Sequence, residues 1–299
     1  MSQHVADRLA AMVQAKKTPL CVGLDPRYDQ LPEEVRQKFP TTRAGQGQAY
    51  ADFCCRVIDV VAPLVGVVKP QSAFFEALGP EGMSALEQVM RHARKQGLFT
   101  ILDAKRNDIA STATAYAEMA YQVYDADALT INPYLGKDSV EPFLQLGRKL
   151  HRGLFILVRT SNPGAGLFQD LKANGVTVHS HVARAVVGWS MEHMNFRGNF
   201  GDVGAVVGAT SREELASLRQ QLPGVWLLVP GFGAQGATAA DTAPGFYENG
   251  LGAVVNSSRA ILFSVPPAEP KWEEAVEKAT RKAIEELAVQ TPAGNLRRK

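Results

Sequence analysis

Asp103, Lys105, Arg106 and Asp108 crowd four charges into six residues, directly after an apolar run, in the stretch ILDAKRNDIAST (101–112). Side chains on a strand alternate between faces, so Asp103 and Lys105 share one. Lys69 closes another apolar run, LVGVVKP (64–70), and can approach them from a neighbouring strand. Asp108 is expected in the following helix or its cap. Opposite charges within about 4–6 Å keep each other ionised where water is excluded. An array of Lys69, Asp103, Lys105 and Asp108 would therefore hold a fixed ammonium, able to deliver a proton, and a fixed carboxylate, able to repel an anionic group on a substrate. A solvated strand end accounts for one or two charges, but poorly for three placed immediately after apolar strands.

A second set of residues suits an anion. LVPGFGAQGAT (228–238) has glycines at 231, 233 and 236, and glycines let a loop take positive φ and turn backbone N–H groups toward a phosphate. NSSRAIL (256–262) sets Ser258 and Arg259 where a helix can start, and a guanidinium binds phosphate bidentately. The loop lacks the Gly-Lys-Ser/Thr of a nucleoside-triphosphatase P-loop, and nothing matches a dinucleotide fingerprint. The expected substrate is a small phosphorylated molecule.

Eight short apolar runs must position these groups: 19–25, 64–70, 98–105, 126–133, 153–160, 203–210, 225–231 and 251–258. Each is continuous and rich in Val, Leu or Ile, as strands buried on both faces of a parallel sheet are. Helical patterns lie between them, among them 48–63, 81–97, 111–127, 139–151, 177–194 and 211–224, with a last one at 272–288. This alternation, with no break in composition, predicts one (β/α)8 TIM barrel over 18–290, an α/β fold whose strand C-termini converge on an active face. A doubly wound sheet is the competing arrangement. Residues 1–17 read as an extra amphipathic N-terminal helix, 26–47 as a loop insertion over one end of the barrel, and 291–299 as a frayed, solvated tail.

The 299 residues are 45% hydrophobic and 21% charged, with a net charge of +2, too little to imply nucleic acid or an acidic membrane as partner. No run approaches the ~18 apolar residues of a membrane span, and the N-terminus lacks the features of a signal peptide. Cys21, Cys54 and Cys55 have neither metal nor disulfide spacing and read as reduced thiols, which points to the cytoplasm.

DAKRNDIAST carries the Asp-x-Lys-x-x-Asp pattern of orotidine 5′-phosphate decarboxylases. CVGLDP, VVKPQSAFFE, NPYLGKDS, VRTSNPGA, VPGFGAQG and NSSRAI follow in that family's order, so residues 18–262 resemble its longer bacterial branch. The resemblance implies a cofactor-free, metal-free decarboxylation of orotidine 5′-monophosphate to UMP in pyrimidine synthesis. It implies that Lys69, Asp103, Lys105 and Asp108 are the catalytic array, with Lys105 protonating C6 and Asp103 beside the substrate carboxylate. Asp25 then holds ribose hydroxyls with Lys69, and Thr112 lies near the ribose. Ser161 contacts the pyrimidine edge, Gln235 bridges pyrimidine and phosphate, and Ser258 and Arg259 take the phosphate. It also implies a homodimer in which Asp108 and Thr112 reach the neighbour's site. The chain departs from many relatives in having Ser258 where they carry Gly, which leaves a backbone N–H contact intact. The segments 26–47 and 166–200 have no counterpart in shorter relatives and are assigned no chemistry.

Three other functions fit parts of the pattern. Metal-dependent sugar-phosphate enzymes share the Asp-x-Lys-x-x-Asp core but need acidic strand ends, where this chain has Lys69. A Schiff-base aldolase would need a neutral lysine, which acidic neighbours oppose. A non-catalytic nucleotide-binding module would not need the complete charged array. Phe74 and Phe75 are expected to pack rather than stack on a base, Arg106 and Lys137 to face solvent, and the six histidines, His179 and His181 included, to hold no metal.

Overall fold

The computed structural model describes residues 4–194, 199–209, 211–233 and 236–298. Eight parallel strands close into a barrel: Leu20–Leu24 (β1), Val67–Pro70 (β2), Phe99–Arg106 (β3), Ala128–Ile131 (β4), Gly153–Arg159 (β5), Val203–Val207 (β8), Leu227–Val229 (β9) and Ala253–Ser257 (β10). Two further strands, Lys172–Ala173 (β6) and Val176–Thr177 (β7), form a small antiparallel hairpin outside it. The barrel runs β1-β10-β9-β8-β5-β4-β3-β2 and closes where β2 pairs with β1. The strands are buried from end to end, except where β3, β5 and β10 reach the C-terminal mouth. Continuous apolar runs are what a parallel sheet covered on both faces requires.

Helices over 43–61, 80–95, 110–118, 137–150, 178–191, 212–221 and 272–290 form the outer layer. After β9 the helical connection shrinks to single turns, Ala239–Thr242 and Ala243–Gly245. The helix Val5–Lys16 buries Val5, Ala6, Leu9 and Val13 at roughly i, i+4, i+8 spacing. A Cβ added at Gly153 would meet Val5, and one at Gly66 would meet Met12. That helix therefore covers the N-terminal end of the barrel, opposite the mouth. Arg8 and Arg152 pin it there through Asp127, at 2.6 and 2.8 Å.

Three expectations change. The segment 26–47 is a folded cover rather than a loop: it holds a short helix, Glu33–Gln37, and its last residues already belong to the helix Arg43–Val61. Glu34 accepts from Arg56 at 2.7 Å and from the Trp272 indole at 2.6 Å, which fixes this cover to two outer helices. The tail is not frayed. Pro292–Arg297 forms a 3-10 helix that buries Ala293 and Leu296, and Asn295 Nδ2 donates to Glu248 O at 2.6 Å. Phe75 is fully buried and Phe74 is half-buried beneath the Arg27 guanidinium, consistent with packing roles. Arg106, expected in solvent, instead pairs with Glu76 and lies over the Tyr116 ring. Cys21 and Cys54 are buried and all three cysteines are free thiols. Among the described residues no helix is long and apolar enough to cross a membrane.

Candidate active site

The C-terminal ends of the strands open into a cavity of about 440 Å³. Asp103 is at its floor, 6% exposed, and accepts four hydrogen bonds. Lys69 Nζ donates to Oδ2 at 2.7 Å, with Gln71 Nε2 beside it at 3.1 Å. Lys105 Nζ donates to Oδ1 at 2.6 Å, with the Thr130 hydroxyl at 2.9 Å. Burial by itself would raise the Asp103 pKa. Lys69 and then Lys105 outweigh it and hold the carboxyl well below the usual carboxylate range. Burial would likewise lower Lys69, but Asp103 and then Asp25 hold its ammonium above the usual lysine range. Nearby Cys21 is pushed up to about 12 by burial and stays a neutral thiol.

The two lysines differ in access. The Lys69 side chain is 5% exposed and that of Lys105 46%. Lys105 also departs from strand geometry, with φ 48°, in a stretch where the β3–β4 register shifts between Leu102 and Arg106. A non-glycine residue in this region costs roughly 1–3 kcal/mol and persists only where its surroundings hold it. Simple alternation along the strand is thus replaced by a bulge, yet Lys105 still reaches Asp103.

Asp25 follows β1 and lines the cavity, as do Ser161 and Asn162 after β5 and Asn256 on β10. Asp25 Oδ1, Asn256 Oδ1 and Ser258 Oγ are buried with no hydrogen-bond partner among the described residues. Ser258 is 9% exposed and precedes the short helix Arg259–Leu262, which begins with the exposed Arg259. Gly231, Gly233 and Gly236 all take positive φ, at 107°, 83° and 92°. A Cβ at Gly233 would stand 3.2 Å from that of Ala260, so the glycine loop lies against this helix. Gln235 lies outside the described residues.

Asp108 and Thr112 do not line the cavity. Asp108 accepts from the Ile109 N–H at 2.8 Å and makes no bond to Lys105. It lies two residues before the helix Ala110–Glu118, whose first turn carries the exposed Thr112. Within one chain the array therefore consists of Lys69, Asp103 and Lys105, and the expected fourth charge stands apart.

Gln71 and Thr130 are additions. Gln71 stands two residues beyond Lys69, the spacing that keeps a side chain on one face of an extended strand. Thr130 has the same kind of signal, as the polar residue of the apolar run ALTI. Outside the lining of the cavity, Asp170, His179 and Glu214 converge, but the Arg159 guanidinium pairs with Asp170 at 3.1 Å and Glu214 at 2.9 Å. This positive charge supplies what a cation would.

The family model for orotidine 5′-phosphate decarboxylase / HUMPS matches residues 18–272. An orotidine 5′-phosphate decarboxylase of Rhodopirellula baltica is 47% identical over 94% of this chain and 98% of its own. One from Variovorax paradoxus is 40% identical over 96% and 98%. The solved OMP decarboxylase of Leishmania donovani superposes with a TM-score of 0.77 at 33% identity, covering 96% of this chain and 98% of that one. With the match spanning the barrel and both the charged array and the glycine loop inside it, the chain belongs to the orotidine 5′-phosphate decarboxylase / HUMPS family.

Proposed function

We propose that this protein decarboxylates orotidine 5′-monophosphate to UMP without a metal or organic cofactor, as a step of pyrimidine nucleotide synthesis in the cytoplasm. The observation that carries this reading is the Asp103 carboxylate held between two ammonium groups, Lys69 at 2.7 Å and Lys105 at 2.6 Å, in the mouth of the barrel. Breaking the bond between C6 and the carboxylate releases CO₂ and leaves an electron pair on C6. Only groups that favour this charge more than the bound substrate speed the step. The Lys105 ammonium faces the developing charge and then transfers its proton to C6. Its exposed side chain can be reprotonated from solvent, whereas Lys69 is locked behind Asp103 and Asp25. Asp103 adds repulsion: two like charges about 4 Å apart cost roughly 4 kcal/mol at an effective dielectric of 20, relieved as CO₂ leaves. That is too little for the whole acceleration, so binding of the remote phosphate should contribute to kcat as well as to affinity.

Asp25 and Lys69 would hold the ribose and Ser161 the pyrimidine edge. Ser258, Arg259 and Gln235 would hold the phosphate, which the positive-φ glycines beside the Arg259 helix favour. A metal-dependent sugar-phosphate reaction is disfavoured by the Lys69 ammonium, which stands where a divalent cation would need an anion. Asp108 and Thr112 would serve the site of a second copy. Ile109 lies between them in the chain and is 54% exposed, and Tyr134 and Leu135, after β4, are 85% and 47% exposed, apolar surface that a second copy could cover. The deciding experiment follows loss of the orotate chromophore in EDTA, with Lys105→Ala in parallel. Turnover by the native protein and none by the variant supports the reading; no turnover despite UMP binding leaves only a binding role.

A further inference from the structure

Lys105 reaches Asp103 from a backbone conformation that strand pairing does not provide. Its φ of 48° turns its N–H out of the regular β3–β4 ladder, which is broken between Leu102 and Arg106. The Thr130 hydroxyl takes that N–H instead. Oγ1 accepts from Lys105 N and from Ala104 N, both at 3.0 Å, and donates to Asp103 Oδ1 at 2.9 Å. A hydroxyl has one proton and two lone pairs, so this one is fully used. Thr130 is 1% exposed, so water cannot readily replace any of the three bonds.

We infer that Thr130 is a positioning residue for the decarboxylation: its one hydroxyl sets the bulge that aims Lys105 and orients the carboxylate of Asp103. This inference rests on the proposed reaction for its kinetic consequence, but not for its structural one. Of the side chains assigned to substrate, Asp25, Ser161, Ser258 and Arg259 come from other strand ends, and Lys69 is held through the other oxygen of Asp103, Oδ2. Removing it should therefore disturb the proton donor more than substrate binding. A valine keeps the branched shape but offers no acceptor to two part-buried N–H groups and no donor to Asp103. The two N–H groups then lose their fixed acceptor, and nothing holds the bulge that aims Lys105 at Asp103. Serine keeps all three bonds available.

The test compares the native protein with Thr130→Val and Thr130→Ser in turnover, UMP binding and amide hydrogen exchange at Ala104 and Lys105. Misplacing a catalytic group by about 1 Å costs on the order of 100-fold in rate. Thr130→Val should lower kcat by about that factor, with KM and UMP affinity within roughly threefold, while the two amides lose protection. Thr130→Ser should restore both kcat and protection. Unchanged protection in Thr130→Val overturns the inference whatever the substrate proves to be. So does an unchanged kcat in an active protein, or a loss of UMP binding as large as the loss of kcat. If the native protein is inert toward orotidine 5′-monophosphate while Thr130→Val alone loses protection, the proposed reaction fails and the positioning role stands.

Discussion

On the β2–β3–β4 side of the mouth, Asp103 takes hydrogen bonds from Lys69, Gln71, Lys105 and Thr130. On the β1–β10 side, Asp25 Oδ1, Asn256 Oδ1 and Ser258 Oγ are buried with no partner among the described residues. A buried polar atom left unpaired costs about 1–3 kcal/mol, so the two sides treat polarity in opposite ways. One arranges charge internally and is complete before any ligand arrives. The other carries unmet hydrogen-bonding capacity that a polyhydroxylated, phosphorylated ligand would satisfy. The difference separates the group that must be preorganised for reaction from the groups whose strength is expressed on binding.

The comparison breaks most visibly on the reacting side. Lys105→Ala should lower kcat on the order of 10⁴-fold, the upper range for loss of a general acid, measured by the orotate absorbance. Asp103→Asn leaves Lys69 buried without its principal anion. Removing one partner of a buried pair costs about 3–5 kcal/mol, so this variant should be destabilised by that amount in denaturant unfolding. An Asp103→Asn protein as stable as the native one would show that the four bonds to the carboxylate are not what holds this side together.

The binding side has a smaller handle in Gly23, within the strand β1. A Cβ there would come 2.8 Å from Ser258 Cβ and 2.9 Å from Asn256 Oδ1, displacing two of the three unpartnered groups. Gly23→Ala should raise KM about tenfold, equivalent to ~1.4 kcal/mol, with a much smaller change in kcat. An effect confined to kcat would place Asn256 and Ser258 with the reacting groups instead. For the native protein, UMP at 100 times its Kd should add about 2.7 kcal/mol of stability and raise Tm by roughly 5 °C.

Legibility in the sequence follows the same division between regular and exceptional backbone. Each of the eight apolar runs overlaps one barrel strand, because a strand covered on both faces is mostly apolar. Lys69, Asp103 and Lys105 stood out because charges so rarely end such runs. The start of the helix at Arg43 was masked by Gly45 and Gly47, residues that normally argue against a helix. They are there for space: a Cβ at Gly45 would stand 1.9 Å from Pro40 O, and one at Gly47 2.9 Å from Glu81 O. The hairpin of β6 and β7 has two-residue strands and no apolar run to announce it. Thr130 gave only a weak signal, a polar residue in the apolar run ALTI, because threonine in a strand is ordinary. Its importance comes from the bulge opposite, and a positive φ at a lysine leaves no mark in the sequence. Arg106 looked like one charge among several, since Glu76 and Tyr116, which engage it, come from other elements.

The smallest expected effect is a flat pH profile, and it tests whether the reacting side is complete in itself. Asp103 has its folded pKa lowered, so its contribution to stability is full above the unfolded value of about 3.9 and is lost as pH falls through the folded one. Lys69 has its folded pKa raised, so its contribution is full below about 10.4 and is lost only as pH rises beyond that. Neither group changes protonation in either state between about pH 5 and 7, and Cys21 beside them remains a neutral thiol. Other groups titrate in the molecule, among them Asp202, raised by burial against the pull of Arg148. The difference in unfolding free energy between native protein and Asp103→Asn removes their contribution. That difference should stay constant from about pH 5 to 7 and narrow as pH falls below about 4, because only the native protein then loses an ionised Asp103. A slope across the neutral range would mean either that Lys69 sheds its proton once Asp103 is gone, which a Lys69→Met, Asp103→Asn double variant would abolish, or that a further titrating group is coupled to the array and the reacting side is not self-contained.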